Sequence, residues 1–218
     1  MRRLTIFDLR FTKLLRRRDF FVNQKSSIEN QTMFSRNPLF RPSRWRATLV
    51  KDLTGVVLEI GVGEGENLPY YRQASQIWAI EPNAERAAQA RRVAATLTIP
   101  VIIDVAGAET LPYPDHSFDQ AVSSLVFCSV NDQHQVLREI RRVLKPGGTL
   151  HMVEHVCPNN RLLAWLFTTI TPWWRKIAFN CHLDRPTLDV LREEGWQVVI
   201  HRRIAMVVRM SAHPLPPV

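Results

Sequence analysis

The 218-residue sequence predicts an α/β fold, a three-layer, doubly wound, mostly parallel sheet of six to seven strands with helices on both faces. Three observations favour this class. Short apolar runs alternate with helix-like stretches from residue 55 onward, a glycine-rich turn follows the first run, and 45% of the residues are apolar, enough for one sizeable core. Strands that alternate with helices indicate a parallel sheet covered on both faces.

The individual elements follow from the apolar pattern in chain order. Strands are predicted at 56–60, 77–80, 101–105, 120–127, 149–153 and 196–203. Helices are predicted to start within 67–73 and to span 84–97, 133–144 and 187–194. We expect the third of these helices to end at the turn Pro146-Gly147-Gly148 and the fourth at Gly195, because Pro and Gly stop a helical pattern.

The sequence does not decide whether the sheet has a seventh strand. Between Trp196 and Ala212 there is no Gly, Pro or Asn to make the turn of a β-hairpin. A seventh strand is therefore predicted to be short and unusually connected, or missing. A missing strand would expose a sheet edge that favours pairing with another chain, so we expect a monomer or a weak dimer.

Charge divides the chain into a basic N-terminal arm, residues 1–50, and a neutral domain, residues 51–218. The arm holds twelve Lys and Arg against three Asp and Glu, a net charge of +9, whereas the domain holds seventeen of each kind. These charges argue against a fold that binds nucleic acid through a uniformly basic surface, and no nucleic-acid partner is expected.

The arm interleaves apolar and basic residues at loosely helical spacing up to residue 22. A basic amphipathic helix can lie on an anionic membrane, so peripheral membrane contact through residues 1–22 is one interpretation. The other is a terminus that is partly helical or disordered, or that precedes a true start at Met33. No apolar run approaches the ~18–20 residues that span a bilayer.

The three cysteines, Cys128, Cys157 and Cys181, are an odd number without CxxC spacing. This pattern argues against a disulfide framework and against a cysteine-type zinc site, so no metal is expected. It suits a reducing compartment, and we expect a cytoplasmic protein, with the membrane surface as the alternative place.

The first predicted strand runs into a loop with glycine at every second position, Gly61, Gly63 and Gly65. Such a loop turns sharply and lets a ligand approach the backbone. Glu64 and Glu66 lie in the same loop, and their carboxylates would repel the diphosphate of a dinucleotide. A cofactor with a cationic sulfonium and an ammonium group would tolerate them, so the loop favours a sulfonium cofactor.

Glu81 ends the second predicted strand, sixteen residues after Gly65. An acidic side chain at this place can accept hydrogen bonds from both hydroxyls of a ribose. The joint spacing of the glycine loop and Glu81 therefore indicates a nucleoside-containing cofactor.

Four motifs in this order over about residues 53–203 resemble class I S-adenosyl-L-methionine (SAM)-dependent methyltransferases with a type 11 methyltransferase domain and a Rossmann-like fold. They are Glu59-x-Gly61-x-Gly63-x-Gly65, Glu81, the run 107–119, and Leu144-Lys145-Pro146-Gly147-Gly148. A narrower resemblance is to the small or alkyl thiol S-methyltransferase branch and its bacterial relatives. It rests on the run 125–130, Glu154-His155-Val156, Trp173-Trp174 and Cys181-His182-Leu183-Asp184-Arg185.

The resemblance implies that SAM is the cofactor and gives a role to each matching residue. The glycines would line its methionine portion, Glu59 would position the loop, Asn67 would open the following helix, and Glu81 would bind the ribose. The adenine would lie beside Pro82 and Asn83 and be read by Ala108 and Glu109, and Ser124 and Leu125 would help to floor the methionine pocket. Relatives often carry Asp in place of Gly107, and Thr or Ala in place of Glu64.

The acceptor is expected beyond the fourth and fifth strands, under a lid formed by residues 155–186. An ordinary packed helix and a membrane-facing patch are the other interpretations of this apolar segment. His155, His182 and Asp184 are the candidate catalytic groups, because a histidine oriented by a carboxylate can act as a base.

A small apolar thiol is the acceptor that the narrower resemblance implies. A quinone-type carbon or a lipid amine is the alternative acceptor, and a non-catalytic SAM-binding module is the alternative function.

Overall fold

The computed structural model describes residues 42–156, 161–177, 181–182, 184–204 and 206–216. The chain divides into two compact units, residues 1–45 and 46–218. The membrane-binding helix predicted at residues 1–22 lies outside the described residues. Within them, five α-helices are present: α1 Pro42–Val50, α2 Ala84–Ala94, α3 Gln133–Val143, α4 Arg161–Ile177 and α5 Thr187–Glu193.

Seven strands form one sheet in the order β3-β2-β1-β4-β5-β7-β6. They are β1 Thr54–Ile60, β2 Gln73–Ile80, β3 Val101–Asp104, β4 Phe118–Ser124, β5 Leu144–His155, β6 Trp196–Ile204 and β7 Val207–Pro214. Strands β1 to β5 pair in parallel, and β7 runs antiparallel to both of its neighbours. The doubly wound α/β fold is thus confirmed.

The core lies between the middle of the sheet and α3. Val136, Leu137, Ile140 and Val143 recur at helical spacing on α3, and all four are fully buried. The last four residues of β1 and residues 121–123 of β4 are buried, as expected when both faces of a sheet are covered. Burying each such side chain contributes about 1.5–3 kcal/mol to the stability of the fold. The packing of α3 on the sheet therefore stabilises the strands whose carboxyl ends carry the site.

The connection between β1 and β2 differs from the prediction. The helix expected within 67–73 is wrong, because the fully described stretch 61–72 contains a single 3-10 turn, Leu68–Tyr70. β2 already begins at Gln73, and Pro69 within the turn has no N–H for a helical hydrogen bond. Asn67 therefore precedes a 3-10 turn, and its side chain makes no capping bond there.

β4 ends, and β5 begins, at residues other than those predicted. β4 stops at Ser124 because Leu125 adopts a left-handed backbone with φ of 59°. Pro146-Gly147-Gly148 lies inside β5 as a bulge, since the pairing passes from Phe118↔Leu144 to Gln120↔Thr149. α3 ends before this motif, at Val143.

The last strand is present and long, so the prediction of a short or missing strand is wrong. β7 has eight residues and pairs with β5 on one side and with β6 on the other. The hairpin closes at the pair Ile204↔Val207, which leaves two residues for the connection. Pairing along both sides of β7 outweighs the lack of favoured turn residues.

Candidate active site

The candidate site lies at the carboxyl ends of β1, β2, β4 and β5. Strand order reverses between β1 and β4, and ligands of open α/β sheets bind beyond the strand ends at such a reversal. The loop after β1 is tied to β2, because the Val62 N–H donates to the Ile80 carbonyl over 2.9 Å. The segment after β4 is tied to β5 by the Leu125 N–H, which donates to the Val153 carbonyl over 2.8 Å.

Two positions in the loop require glycine. Gly61 has φ of 64°, and a Cβ there would lie 2.6 Å from a methyl group of Val126. Gly65 has φ of 89°, and a Cβ there would lie 3.1 Å from the Cα of Ala90 on α2. The loop therefore packs against α2 on one side and against the residues after β4 on the other.

Glu59 is buried beneath this loop. Its Oε1 accepts a hydrogen bond from Asn67 Nδ2 over 2.8 Å, and its Oε2 accepts one from the Tyr71 hydroxyl over 2.9 Å. Burial raises the pKa of Glu59 to about 7. These contacts join the end of β1 to the far side of the loop, and Oδ1 of Asn67 is left without a partner among the described residues.

Glu81 connects the end of β2 to the same loop. Its Oε2 accepts from the Gly63 N–H over 3.0 Å, and its Oε1 accepts from the Asn83 N–H over 3.1 Å. A carboxylate oxygen can accept two hydrogen bonds, so each oxygen retains capacity for a ligand hydroxyl. Arg86 Nη1 lies 3.8 Å from Oε1.

The residues predicted around an adenine have varied contacts. Pro82 is exposed, and Asn83 Oδ1 accepts from the Arg86 N–H over 3.0 Å and so caps α2.

In the segment after β3, Gly107 is exposed, whereas Ala108 packs in the main core. Glu109 Oε1 accepts from the Asn131 N–H over 2.9 Å, which joins this segment to the stretch after β4.

The segment predicted to floor the pocket reaches the glycine loop. Ser124 is half-buried at the end of β4, and Leu125 is 42% exposed although its side chain is large and apolar. Val126 then contacts the position that Gly61 leaves free of a Cβ. The left-handed backbone at Leu125 costs on the order of 1–3 kcal/mol, and such strain concentrates at ligand sites.

Glu154 holds this segment in place, a role that the sequence does not reveal. Its Oε1 accepts from the Ser123 hydroxyl over 2.6 Å and from the Val126 N–H over 3.0 Å. The side chain is fully buried, which raises its pKa to about 7, and Oε2 has no partner in the described part of the chain. A charged residue inside an apolar strand was the available signal. Tyr71, the other unpredicted contributor, gives no local signal.

The candidate catalytic groups gather around two buried cysteines, Cys128 and Cys181. His155, the last residue of β5, places Nδ1 at 3.8 Å from the Cys181 Sγ. His182 donates its backbone N–H to the Cys128 carbonyl over 2.8 Å. Its Nδ1 lies 4.0 Å from Asp184 Oδ1, at the outer limit of an ion pair.

Helix α4 lies within the predicted lid segment and presents an apolar outer face. Leu162, Trp165 and Trp173 are each at least 65% exposed. Phe167 instead packs against the pair Cys128 and Cys181, so α4 covers the cysteines. Among the described helices none is long and apolar enough to cross a membrane.

Comparison with known proteins identifies the same region. Residues 58–152 match the model of a methyltransferase domain family. The chain is 34% identical over 152 residues to thiol S-methyltransferase TMT1B of Rattus norvegicus, covering 63% of this chain and 60% of the relative. It is 28% identical over 160 residues to phosphatidylethanolamine N-methyltransferase of Cereibacter sphaeroides, covering 70% of this chain and 79% of the relative.

The fold is similar to that of a solved structure, the YcgJ protein of Bacillus subtilis. The TM-score is 0.61 at 21% identity, over 73% of this chain and 69% of that protein. The chain spans about 60% of the length of the thiol S-methyltransferase relative. The matched residues 58–152 contain both the glycine loop and Glu81, so family and geometry identify one region. Residues 58–152 are therefore similar to methyltransferase domains.

Proposed function

We propose that the protein transfers a methyl group from SAM to a small, apolar thiol. The observation that carries the use of SAM is the hydrogen bond from the Gly63 N–H to Glu81 Oε2, which sets a carboxylate able to accept ribose hydroxyls beside the glycine loop. The thiol is supported by the similarity to a thiol S-methyltransferase. When bound, SAM supplies a methyl group on a cationic sulfonium that a nucleophile can displace.

The residues at the site fit this cofactor. The Oδ1 of Asn67, which has no partner among the described residues, is an acceptor available to a ligand. The carboxylate of Glu81 offers acceptors for ribose hydroxyls. Glu64 is exposed in the same loop, where a negative charge complements a cationic ligand, whereas Glu66 pairs with Arg46 over 3.1 Å.

The acceptor would lie on the apolar side of the site. Leu125 is exposed beside the glycine loop, and Phe167 of α4 covers the buried cysteines behind it. Such a surface binds an alkyl group and excludes water, while the chain holds donor and acceptor in reactive geometry. A thiol is mostly protonated near neutral pH, so its proton must leave. His182, with Asp184 as its carboxylate neighbour, is the proposed proton acceptor.

Purified protein with isotope-labelled SAM tests this function. We expect labelled thioether from short alkyl thiols, and at least tenfold less product from a quinone or from phosphatidylethanolamine vesicles. Preferential methylation of the vesicles would favour a lipid amine acceptor, in line with the second relative. Methylation of the quinone would favour a carbon acceptor. SAM-dependent thermal stabilisation without methylation of any acceptor would indicate a non-catalytic module and would contradict the proposal.

A further inference from the structure

Three potential metal ligands from separate parts of the chain meet behind the acceptor side of the site. Cys128 follows β4, His155 ends β5, and Cys181 lies shortly before α5. Their ligand atoms all lie within 4.8 Å of one another, and the Cys181 Sγ is 3.8 Å from His155 Nδ1. Motifs of closely spaced residues do not reveal the cluster, because its successive members are 26 or 27 residues apart along the chain.

The spacing of these atoms suits one zinc ion. Tetrahedral zinc holds sulfur at about 2.3 Å and nitrogen at about 2.0–2.1 Å, which puts neighbouring ligand atoms about 3.5–3.8 Å apart. The separations in the cluster exceed this by no more than about 1 Å, so side-chain rotations would bring the atoms into position. Two cysteines and one histidine are also a ligand set of catalytic zinc, in which the fourth position stays open.

The surroundings of the cluster favour a charge-neutral assembly. Cys128 is 2% exposed and Cys181 is 8% exposed, with Phe167 and Met206 packed against them. Two free thiolates would be costly in this apolar setting, whereas two thiolates and one Zn²⁺ carry no net charge. The Ser129 hydroxyl lies 3.6 Å from the Cys128 Sγ, where it can support a sulfur ligand.

The cluster is also close in sequence and space to the proposed acceptor side. Cys128 lies two residues after Val126, which contacts the glycine loop at Gly61. His155 directly follows Glu154, which binds the Val126 N–H. A ligand in an open zinc position would therefore stand at the same strand ends as the cofactor loop.

We propose that Cys128, His155 and Cys181 bind a zinc ion whose open fourth position takes the sulfur of the acceptor thiol. The S–H bond of the acceptor breaks as the zinc–sulfur bond forms, and the proton passes to His182, the proton acceptor of the proposed function. The zinc-bound thiolate is the nucleophile, and the thioether formed by its methylation is neutral, a weaker ligand that leaves. The proposed metal site is argued from the cluster of Cys128, His155 and Cys181 alone. The role of the metal in binding the acceptor thiol rests on the proposed function.

Metal binding by the full chain tests the site directly. Reduced, metal-free protein is titrated with Zn²⁺, and separately with Co²⁺, whose thiolate charge-transfer absorption reports cysteine ligands. We expect one ion per chain and a charge-transfer band that changes when a short alkyl thiol is added. Cys128→Ser and Cys181→Ser should each lose the band, and His155→Gln should bind Zn²⁺ at least tenfold more weakly.

His134→Gln is the matched control, because His134 is a partly exposed histidine paired with Glu194 on another part of the surface. It should bind zinc as the unaltered protein does, within twofold. Circular dichroism melts of the metal-free variants show whether each one folds. Absence of stoichiometric zinc in the reduced protein, or zinc binding that survives in a folded Cys128→Ser/Cys181→Ser variant, would overturn the site.

The outcomes separate this inference from the proposed function. A protein that methylates thiols equally well with and without zinc would refute the metal's role while the proposed function stands. A protein that binds zinc through the cluster but methylates no thiol would refute the proposed function and the role of the fourth position, while the metal site stands. Both proposals are supported if chelation lowers thiol methylation at least tenfold, leaves SAM binding unchanged, and is reversed by added Zn²⁺.

Discussion

Two buried carboxylates at the ends of neighbouring strands show how residue context sets a role. Glu81 accepts hydrogen bonds from two backbone N–H groups at the edge of the site. Glu59 lies deeper and accepts hydrogen bonds from the neutral side chains of Asn67 and Tyr71, and burial is the largest influence and raises its pKa. Glu81 is therefore suited to bind a ligand and Glu59 to support the loop.

Glu81→Gln should weaken the binding of SAM or of S-adenosylhomocysteine, because an oxygen that accepts hydrogen bonds is replaced by an amide nitrogen that donates them. Hydrogen bonds to a charged group contribute about 1.5–3 kcal/mol, so we expect a loss of affinity of roughly 10- to 100-fold by calorimetry. Glu85→Gln, an exposed substitution in the first turn of α2, is the control and should bind normally. Equal affinity in both variants would refute the ribose-binding role of Glu81.

Glu59 should make the stability of the fold depend on pH. Its pKa rises from an ordinary 4.5 to about 7 in the folded chain, so the folded state binds more protons than the unfolded state between these values. The free energy of unfolding should therefore fall as the pH rises from 5 to 8, by about 2–3 kcal/mol from this group. Urea unfolding of Glu59→Gln should lack this part of the decline, and Glu85→Gln should keep it. The same slope in both variants would exclude Glu59 as the source.

At the scale of elements, the glycine loop works as a packed connection between β1, α2 and the segment after β4. Backbone N–H groups of the loop reach β2 and Glu81, and its glycines lie against Val126 and Ala90. The motif spacing predicts such a loop, but the contact with Val126 depends on a residue 65 positions away from Gly61. Spacing therefore predicts where the loop bends, and tertiary packing decides what it touches.

Gly65→Ala should destabilise the protein more than Gly147→Ala. Both glycines have positive φ, which costs alanine about 1–2 kcal/mol, but only Gly65 has neighbours where the new Cβ would lie. The Cα of Ala90 at 3.1 Å is backbone and cannot move aside cheaply, whereas Gly147 has nothing within 4 Å. We expect an additional loss of about 1–3 kcal/mol for Gly65→Ala in urea unfolding. Equal losses would show that the loop yields to the added methyl group.

Element boundaries show where sequence patterns stop being informative. The strands over 101–104 and 196–204 and the helix over 133–143 nearly match their predictions, because each has a clear period and a strong stop signal. The helix expected after the glycine loop is absent from the described residues 61–72, since β2 begins early to pair with β1 along its whole length. β7 exists because strands on both sides pair with it, which no local turn signal could indicate.

At the scale of the whole molecule, the charge of the sequence is separated from the proposed chemistry. Residues 51–218 carry no net formal charge and include every candidate site residue, while residues 1–50 carry +9. On α4 the exposed side chains of Trp165 and Trp173 add an apolar surface within the neutral part. Two distinct features therefore suit a membrane surface, and they can be tested apart.

Deleting residues 1–32 should weaken binding to anionic vesicles without changing SAM affinity. The deletion removes eight Lys and Arg and three Asp and Glu, and each basic residue near an anionic surface contributes about 1 kcal/mol. We expect at least fivefold weaker sedimentation with phosphatidylserine vesicles, and weaker binding of the full chain at high salt. If the truncated chain binds the vesicles as strongly as the full chain, and the Trp165→Ser/Trp173→Ser variant does not bind them, the membrane contact is made by α4.

The sequence by itself determined the fold class, the glycine loop after β1 and the acidic residue after β2. These features are encoded locally. The spacing of apolar residues predicts the strands, glycines predict the turn after β1, and a carboxylate follows the end of β2. The signals lie within about 25 residues of one another, so they can be recognised without knowledge of the packing.

Tertiary structure alone decided what surrounds the ends of β4 and β5. It brought Glu154 beneath Val126, added β7 between β5 and β6, and gathered Cys128, His155 and Cys181 into one cluster. The cysteine spacing had argued against a zinc site because that reasoning considers only neighbours along the chain. Parallel strands bring together residues that follow different strands, and for this reason the chemistry at their ends is visible only in the folded molecule.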